Sequence, residues 1–401
     1  MSAPSVAPST FAVELAIART PESVGALRAG WEPLQATPAS DVDLYLFEIG
    51  GRPNLVRPHV LALSRGAALV TVAAGWLEQV RLASRIAYRN VFAPPVRAIT
   101  VQPGGIVGEI SDETAAAIVS SLYGSLAQGE ADVAILHEVA VAAPFLPLAR
   151  TIPSAAFRDR AVQQNVRWIA TFPQPPDAPF PSSSHARRNL RYYANRLRRR
   201  YGGDIDVRSY TRPADLDVLC RDVDLVAATT YQRRLGVGFR VDPFYRERMR
   251  HQMERGAFRS WVLYLAGLPC AFWLGIRWGD TYYSGDTGYD PAFRDDRLGD
   301  LLLMRAAEDL RRESGLRFFD FGFGDAEYKR RYGSRSIEEA TVVMYAPTAR
   351  GMALAMARGV VGGTNRLLKS AARRLDVLDT VRSAVRRRLE RGQTPWGVTP
   401  T

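Results

Sequence analysis

Two lysines stand in the chain, Lys329 and Lys369, among 53 Lys and Arg residues, so 51 of the cations are arginines. Lysine is a compact, flexible point charge whose pKa responds to burial, whereas arginine is a wide, permanently charged fork. A lysine kept in an arginine-dominated chain reads either as a place where a guanidinium does not serve or as a surface lysine retained by chance, and the motif around it favours the first. Lys329 sits in the most distinctive stretch, Phe318 to Gly333, which reads Phe-Phe-Asp-Phe-Gly-Phe-Gly-Asp-Ala-Glu-Tyr-Lys-Arg-Arg-Tyr-Gly. That run sets carboxylates, two phenols and an ammonium among glycines that let the chain pass close beside a ligand or turn tightly. The other familiar chemistries are poorly supported. Cys220 and Cys270 have no metal-type spacing, and His59, His137, His185 and His251 are scattered. A histidine metal site or a Ser-His-Asp triad has little to build on, and the cysteines read as reduced and structural.

The elements that must position these residues follow from pattern. Residues 11–17 alternate as a strand, and Thr20-Pro21-Glu22-Ser23 opens a helix running to about Leu34. Residues 43–49, 58–64 and 67–74 read as strands, 112–127 as a helix after Ser111, and 131–136 as a buried strand. The proline-rich Phe172–Pro181 is a connector. Ser182–Ser184 then begins a basic helix through Tyr201, stopped by Gly202-Gly203. Ile205–Tyr210 is a strand, with helices from Arg212 to about Tyr231 and from Asp242-Pro243 to Glu254. Three antiparallel strands follow over 260–265, 269–277 and 281–284. An amphipathic helix spans 298–313, with Leu298, Leu301, Leu302, Met304, Ala306 and Leu310 mostly on one side. Strands at 318–323 and 337–345 close the order.

Length and composition fit two or three ordinary globular domains: 401 residues, 47% apolar and 23% charged. No apolar run reaches the roughly 18 residues of a membrane span. The first ten residues lack a secretory n-region and read as a disordered leader, so the expected setting is the cytoplasm. The net charge of +12 favours anionic partners. It concentrates in the 185–200 helix and after Arg350. In that helix, seven arginines from Arg187 to Arg200 interleave with Tyr192 and Tyr193. This suits either nucleic acid or a solvated interdomain helix, and the absence of a nucleic-acid-binding motif favours the second. From Thr364 to Arg391, Leu368, Ala371, Leu375, Leu378, Val381, Val385 and Leu389 recur at helical spacing opposite a cationic face. Such a helix docks on an anionic membrane, on a partner, or on its own protein.

Three pieces carry a family resemblance. They are Tyr282-Tyr283-Ser284-Gly285-Asp286, then Arg294-Asp295-Asp296-Arg297-Leu298-Gly299-Asp300 at the helix start, then Phe319-Asp320-Phe321-Gly322 with Gly324, Tyr328-Lys329 and Tyr332-Gly333. With these, residues 185–345 resemble the GNAT acyltransferase superfamily. More narrowly they are similar to CelD/BioF-like acetyltransferases, relatives of the Fem aminoacyltransferases with two GNAT folds in tandem. Residues 10–175 match only in element order and in the strand around 131–136. The resemblance implies an α/β (α+β) fold of tandem GNAT units, each a mixed, mainly antiparallel sheet flanked by helices. The implied segments are a leader (1–10), a degenerate first domain (11–178), a connector with the basic helix (179–203), a catalytic domain (204–347) and a basic helical tail (348–401).

Functionally, the resemblance implies an N-acyltransferase. It would move an acetyl or other acyl group, not an aminoacyl group, from acyl-CoA to an amine of a small or polysaccharide-precursor acceptor, without a metal. GNAT folds hold the pyrophosphate on an Arg/Gln-x-x-Gly-x-Gly/Ala turn at a helix N-terminus. Here Arg294 and Gly299 fit the outer positions, and Arg297 replaces the middle glycine. Arg294, Arg297, Leu298, Gly299 and Asp300 are thus the expected donor-binding residues. Tyr283 to Asp286 would lie beside the acyl group, with Asp286 the first candidate general base and Asp320 the second. The alternative for either carboxylate is capping a turn or pairing with an arginine. By likeness to the Fem branch, Lys329 would meet the oxyanion or an anionic group, and Tyr328 would protonate the leaving thiolate or simply pack. Two other readings remain: an aminoacyl-tRNA-dependent transferase, and a non-catalytic scaffold of an envelope polysaccharide system, peripheral at the inner membrane face.

Overall fold

The structure, a computed structural model, describes residues 12–374 except 87–88, 176–177, 179, 182, 202–204, 231–232 and 234–238. The leader, the Gly202-Gly203 stop and the tail beyond Arg374 lie outside the described residues. In chain order the strands begin with β1 (Glu14–Ala18), β2 (Leu55–Pro58), β3 (Val60–Arg65), β4 (Ala68–Arg81), β5 (Ser84–Ile86), β6 (Arg89–Phe92), β7 (Pro95–Gly108) and β8 (Val133–Ala140). They continue with β9 (Gln163–Thr171), β10 (Asp206–Ser209), β11 (Phe258–Leu265), β12 (Leu268–Trp278), β13 (Thr281–Tyr289), β14 (Phe318–Asp320) and β15 (Arg335–Tyr345). The helices of the first half are α1 (Pro21–Ala26), α2 (Arg28–Trp31), α3 (Val42–Gly51), α4 (Asp112–Ala127) and α5 (Phe145–Thr151). Then come α6 (Ser184–Tyr201), α7 (Leu216–Thr229), α8 (Pro243–Glu254), α9 (Leu298–Arg311), α10 (Glu327–Tyr332) and α11 (Ala349–Arg374).

Among the described residues, two compact units divide the chain: residues 12–165 with 338–368, and residues 166–337 with 369–374. The first has the strand order β1-β3-β4-β7-β8-β15, with β2 also on β4. The second has β9-β14-β13-β12-β11-β10. Each unit follows one plan. Antiparallel strands (β3-β4-β7, β11-β12-β13) lead through a helix (α4, α9) into a strand parallel to the last of them (β8, β14). A parallel neighbour requires such a crossover, which is why the long helix falls there. An antiparallel strand completes each: β15 beside β8, and β9 beside β14.

Side chains alternate between two cores. In β11, Trp261 and Leu263 face α6 and α9, packing with Leu197, Leu302 and Leu310, while Val262 and Tyr264 face α7 and α8, packing with Leu219, Val223 and Met249. In the first unit, Ile118, Leu122 and Phe145 cover one face, and Val24, Trp31 and Tyr45 cover the other.

Residues 43–49, read as a strand, are instead part of α3. Asp41 accepts the Leu44 amide as N-cap, and Val42, Leu44, Tyr45 and Glu48 are buried together. Tyr45 then lies 5.5 Å from the Trp31 ring and 6.1 Å from Trp76. The apparent alternation was a helical face in a short apolar run. Strand β14 ends at Asp320, three residues short of the expected Phe323, because Gly322 and Gly324 take positive φ (68° and 95°). Strand β13 runs past Ser284 to Tyr289. Both differences shape the site.

Candidate active site

Strands β13 and β14 pair only at Thr281–Phe318, Tyr282–Phe319 and Tyr283–Asp320. Beyond that point β13 continues and the other chain turns away, so the two strands splay. On its other side, β13 bulges against β12: Trp273 opposes Thr287 while Gly275 opposes Ser284. The extra residue falls at Gly285–Asp286 and re-aims the side chains after it. Trp273 Nε1 donates to Ser284 Oγ at 3.0 Å across the bulge.

A cavity of about 660 Å³ opens beside this split on the α9 side. Its walls include Trp273, Thr287 to Tyr289, the turn Arg294 to Asp300 and the segment Phe323 to Lys329, with Arg331. The expected donor residues Arg294, Arg297, Leu298, Gly299 and Asp300 therefore share one cavity with Tyr328 and Lys329. Asp286, Asp320 and Tyr283 are not among its walls.

The start of α9 has the geometry of an anion site. Arg297 is its N-cap, in the left-handed conformation (φ 55°, ψ 39°), and no side chain caps the helix. That conformation is the one glycine adopts most readily. Arg297, at the position where the sequence resemblance expects glycine, thus takes a backbone conformation that glycine favours and adds a cation. Arg297 Nε donates to Asp300 Oδ2 at 2.8 Å, and Arg331 Nη1 reaches the same oxygen at 3.4 Å. The first-turn amides of a 14-residue helix and the side chains of Arg294, Arg297 and Arg331 border one space. Phosphate oxygens are the natural ligand of such a set.

Lys329 is 7% exposed and points its ammonium into the protein. Nζ donates to the carbonyls of Gly322 (3.1 Å) and Phe323 (2.9 Å). Asp320 holds the same turn from the strand side, its Oδ1 accepting the Gly322 amide at 2.7 Å, while its Oδ2 accepts from Arg167 Nη1 at 3.1 Å. These two residues are straps on the turn that walls the cavity. Tyr328 packs edge-on to Trp273 and Phe321, each with centroids 5.9 Å away.

Asp286 turns to the opposite side of the sheet. Tyr245 of α8 donates its hydroxyl to Asp286 Oδ2 at 2.6 Å. Burial and the Asp286 charge together hold the Tyr245 phenol well above its usual range, so it stays a donor. Tyr283, beside Asp320 in the strand pairing, is also shifted up, first by burial and then by the Asp320 carboxylate. The basic helix α6 is tied to the turn before α9. Arg196 Nη2 donates to the Asp295 carbonyl and to Asp296 Oδ1, both at 2.5 Å, and Arg200 lies 3.5 Å from Asp296. Sequence reading missed Trp273, Tyr245, Arg167 and Arg331. The first three carry no motif signal; Arg331, two residues after Lys329, does lie inside one.

Residues 184–330 match the family described as Acetyltransferase (GNAT) domain. The fold is that of the GNAT acyltransferases. No curated protein matches the chain. Among solved structures, FemX is similar over 82% of this chain and 96% of its own, at 13% identity and a TM-score of 0.52. The C-terminal domain of a protein described as a lysylphosphatidylglycerol synthetase, from Agrobacterium fabrum, is similar over 85% of this chain and 96% of its own, at 12% identity and a TM-score of 0.50. Both likenesses are of fold, and both take in the first unit as well as the second. The cavity lies within the second unit, and no described helix is long and apolar enough to cross a membrane.

Proposed function

We propose that the second unit is an N-acyltransferase that moves an acetyl or other acyl group from acyl-CoA to the amine of a small or polysaccharide-precursor acceptor. One observation carries the reading: a single cavity joins the side-chain-free N-terminus of α9, with Arg294, Arg297 and Arg331, to Tyr328 beside the β13–β14 split. The pyrophosphate would sit on the Leu298–Asp300 amides and these arginines, leaving the thioester at the split.

There the acceptor nitrogen attacks the thioester carbon, forming the C–N bond, and the C–S bond breaks. Backbone N–H groups of the splayed part of β13 meet the developing oxyanion. Asp286 takes the amine proton, directly or through water, on the face where Tyr245 orients it. Tyr328 gives a proton to the leaving thiolate. Lys329 and Asp320 act through the turn they strap. The narrower likeness to the CelD/BioF-like branch and the glycan-precursor acceptor rest on sequence motifs.

Thiol release from acetyl-CoA across a panel of amines tests this reading. Asp286→Asn should lower kcat by about 10²–10⁴-fold with the acetyl-CoA Kd unchanged; full turnover in that variant would remove Asp286 as base. A second reading has its own observation. Arg188, Arg191, Arg198 and Arg199 of α6 are exposed, which suits a polyanionic donor. Aminoacyl-tRNA supplied in place of acetyl-CoA in the same assay separates the two.

A further inference from the structure

Helix α11 carries a surface that acyl transfer does not use. It is anchored within the first unit by Leu354, Ala355 and Arg358, all buried. Arg358 Nη1 lies 3.7 Å from Asp159 Oδ2 and 3.5 Å from the Tyr345 hydroxyl. Nearer the two ends, Arg350 Nε pairs with Asp132 at 3.1 Å and Arg366 Nη1 donates to the Arg160 carbonyl at 2.8 Å.

Away from these anchors, Met352, Met356, Val360 and Leu367 fall in one line at spacings of four, four and seven. Val360 is 69% and Leu367 73% exposed. Single exposed apolar residues are ordinary; four in line on an anchored helix form a patch. Spanning about 22 Å at 1.5 Å per residue, the line suits a surface contact.

Charge selects the occupant. Helix α11 runs on to Arg374 and carries Lys369, Arg373 and Arg374 in its last turns. From Thr364 to Thr401 nine Lys and Arg stand against three Asp and Glu, a net +6 and half of the chain's +12. A second copy would bring +6 against +6. A dissolved polyanion would match the charge and leave the aliphatic line wet.

We propose that the outer face of α11 docks on an anionic bilayer surface. Met352, Met356, Val360 and Leu367 enter the boundary between headgroups and acyl chains, and the net positive charge of the sequence from Thr364 onward draws that face to anionic lipid.

The test uses the full chain with phosphatidylcholine vesicles, with and without phosphatidylglycerol. Co-sedimentation should require the anionic lipid and weaken with salt. Val360→Asp combined with Leu367→Asp should lower partitioning by about tenfold or more, with melting and turnover unchanged. In the wild type, peroxide should oxidise Met352 and Met356 freely in solution and slowly on anionic vesicles. Equal binding to both vesicle types overturns the proposal. So does undiminished binding of the double variant, which would make the attraction one of charge alone. Protection of the two methionines without lipid also overturns it, since the chain's own tail or a second copy would then cover the line.

Discussion

Lys329 directs its ammonium at two carbonyls of its own chain, and this explains a lysine among arginines. The space between Gly322 and Phe323 takes a compact donor on a thin stem, where a guanidinium is wide and planar. Lys329→Met should cost about 2–4 kcal/mol of stability, because two carbonyls of a half-buried turn lose a charged donor. Lys329→Arg should keep the fold, displace the turn and lower turnover by about 10²-fold, the usual effect of a misplacement near 1 Å. Melting and thiol-release kinetics on both variants check this, and wild-type turnover in Lys329→Arg would mean the turn accepts either cation. The sequence singled out Lys329 by rarity and by motif. It did not disclose the partners, since a side chain reaching back six and seven residues to carbonyls leaves no mark in residue type. Asp320 is similar: its role as strap to the Gly322 amide depends on where β14 stops.

At the level of elements, the turn into α9 separates backbone path from side-chain chemistry. Arg297 adopts a conformation that costs a non-glycine residue about 1–2 kcal/mol. Arg297→Gly should therefore hold or raise the melting temperature while weakening acetyl-CoA binding about tenfold, through loss of one phosphate contact. Calorimetry and thermal melting on this variant give the two signs; unchanged affinity would confine Arg297 to its pair with Asp300. Helices α4, α6, α8 and α9 were legible from sequence because each has a strong start signal or apolar face, such as Ser111 capping Thr114 or Asp242 capping Tyr245. Strands β7 and β9 were not. Gln163–Thr171 is polar at its start and pairs with β14, a partner about 150 residues away. Helix α3 was misread for the related reason that packing on Trp31 and Trp76 decides a short apolar run.

Across the whole molecule the two units repeat one plan with different chemistry. At α4 the Ser111 side chain accepts the Thr114 amide and closes the helix start, whereas at α9 no side chain does. The first unit also buries titratable groups. His59 is fully buried, with Arg57 Nη1 3.1 Å from Nδ1 and Glu130 3.9 Å away, and burial, aided by Arg57, lowers its pKa to about 4. His137 is shifted down as well, chiefly by burial. The folded form keeps His59 neutral while the unfolded chain binds a proton below about 6.5. Its stabilising contribution is thus complete above pH 6.5 and lost as pH falls through about 4, amounting to about 3 kcal/mol. Denaturant unfolding between pH 7 and 4.5 should show this loss, with a shallower slope in His59→Gln; equal slopes would place the acid sensitivity elsewhere.

The contrast between α4 and α9 implies a single donor site per chain, at the second unit. Titration calorimetry of acetyl-CoA into the full chain tests this most directly. The expected result is one acetyl-CoA per chain, with binding lost or strongly weakened in Gly299→Pro, which removes one first-turn amide from α9. No heat of binding in the wild type, or undiminished affinity in Gly299→Pro with the fold intact, would contradict the assignment of this cavity to the acyl donor.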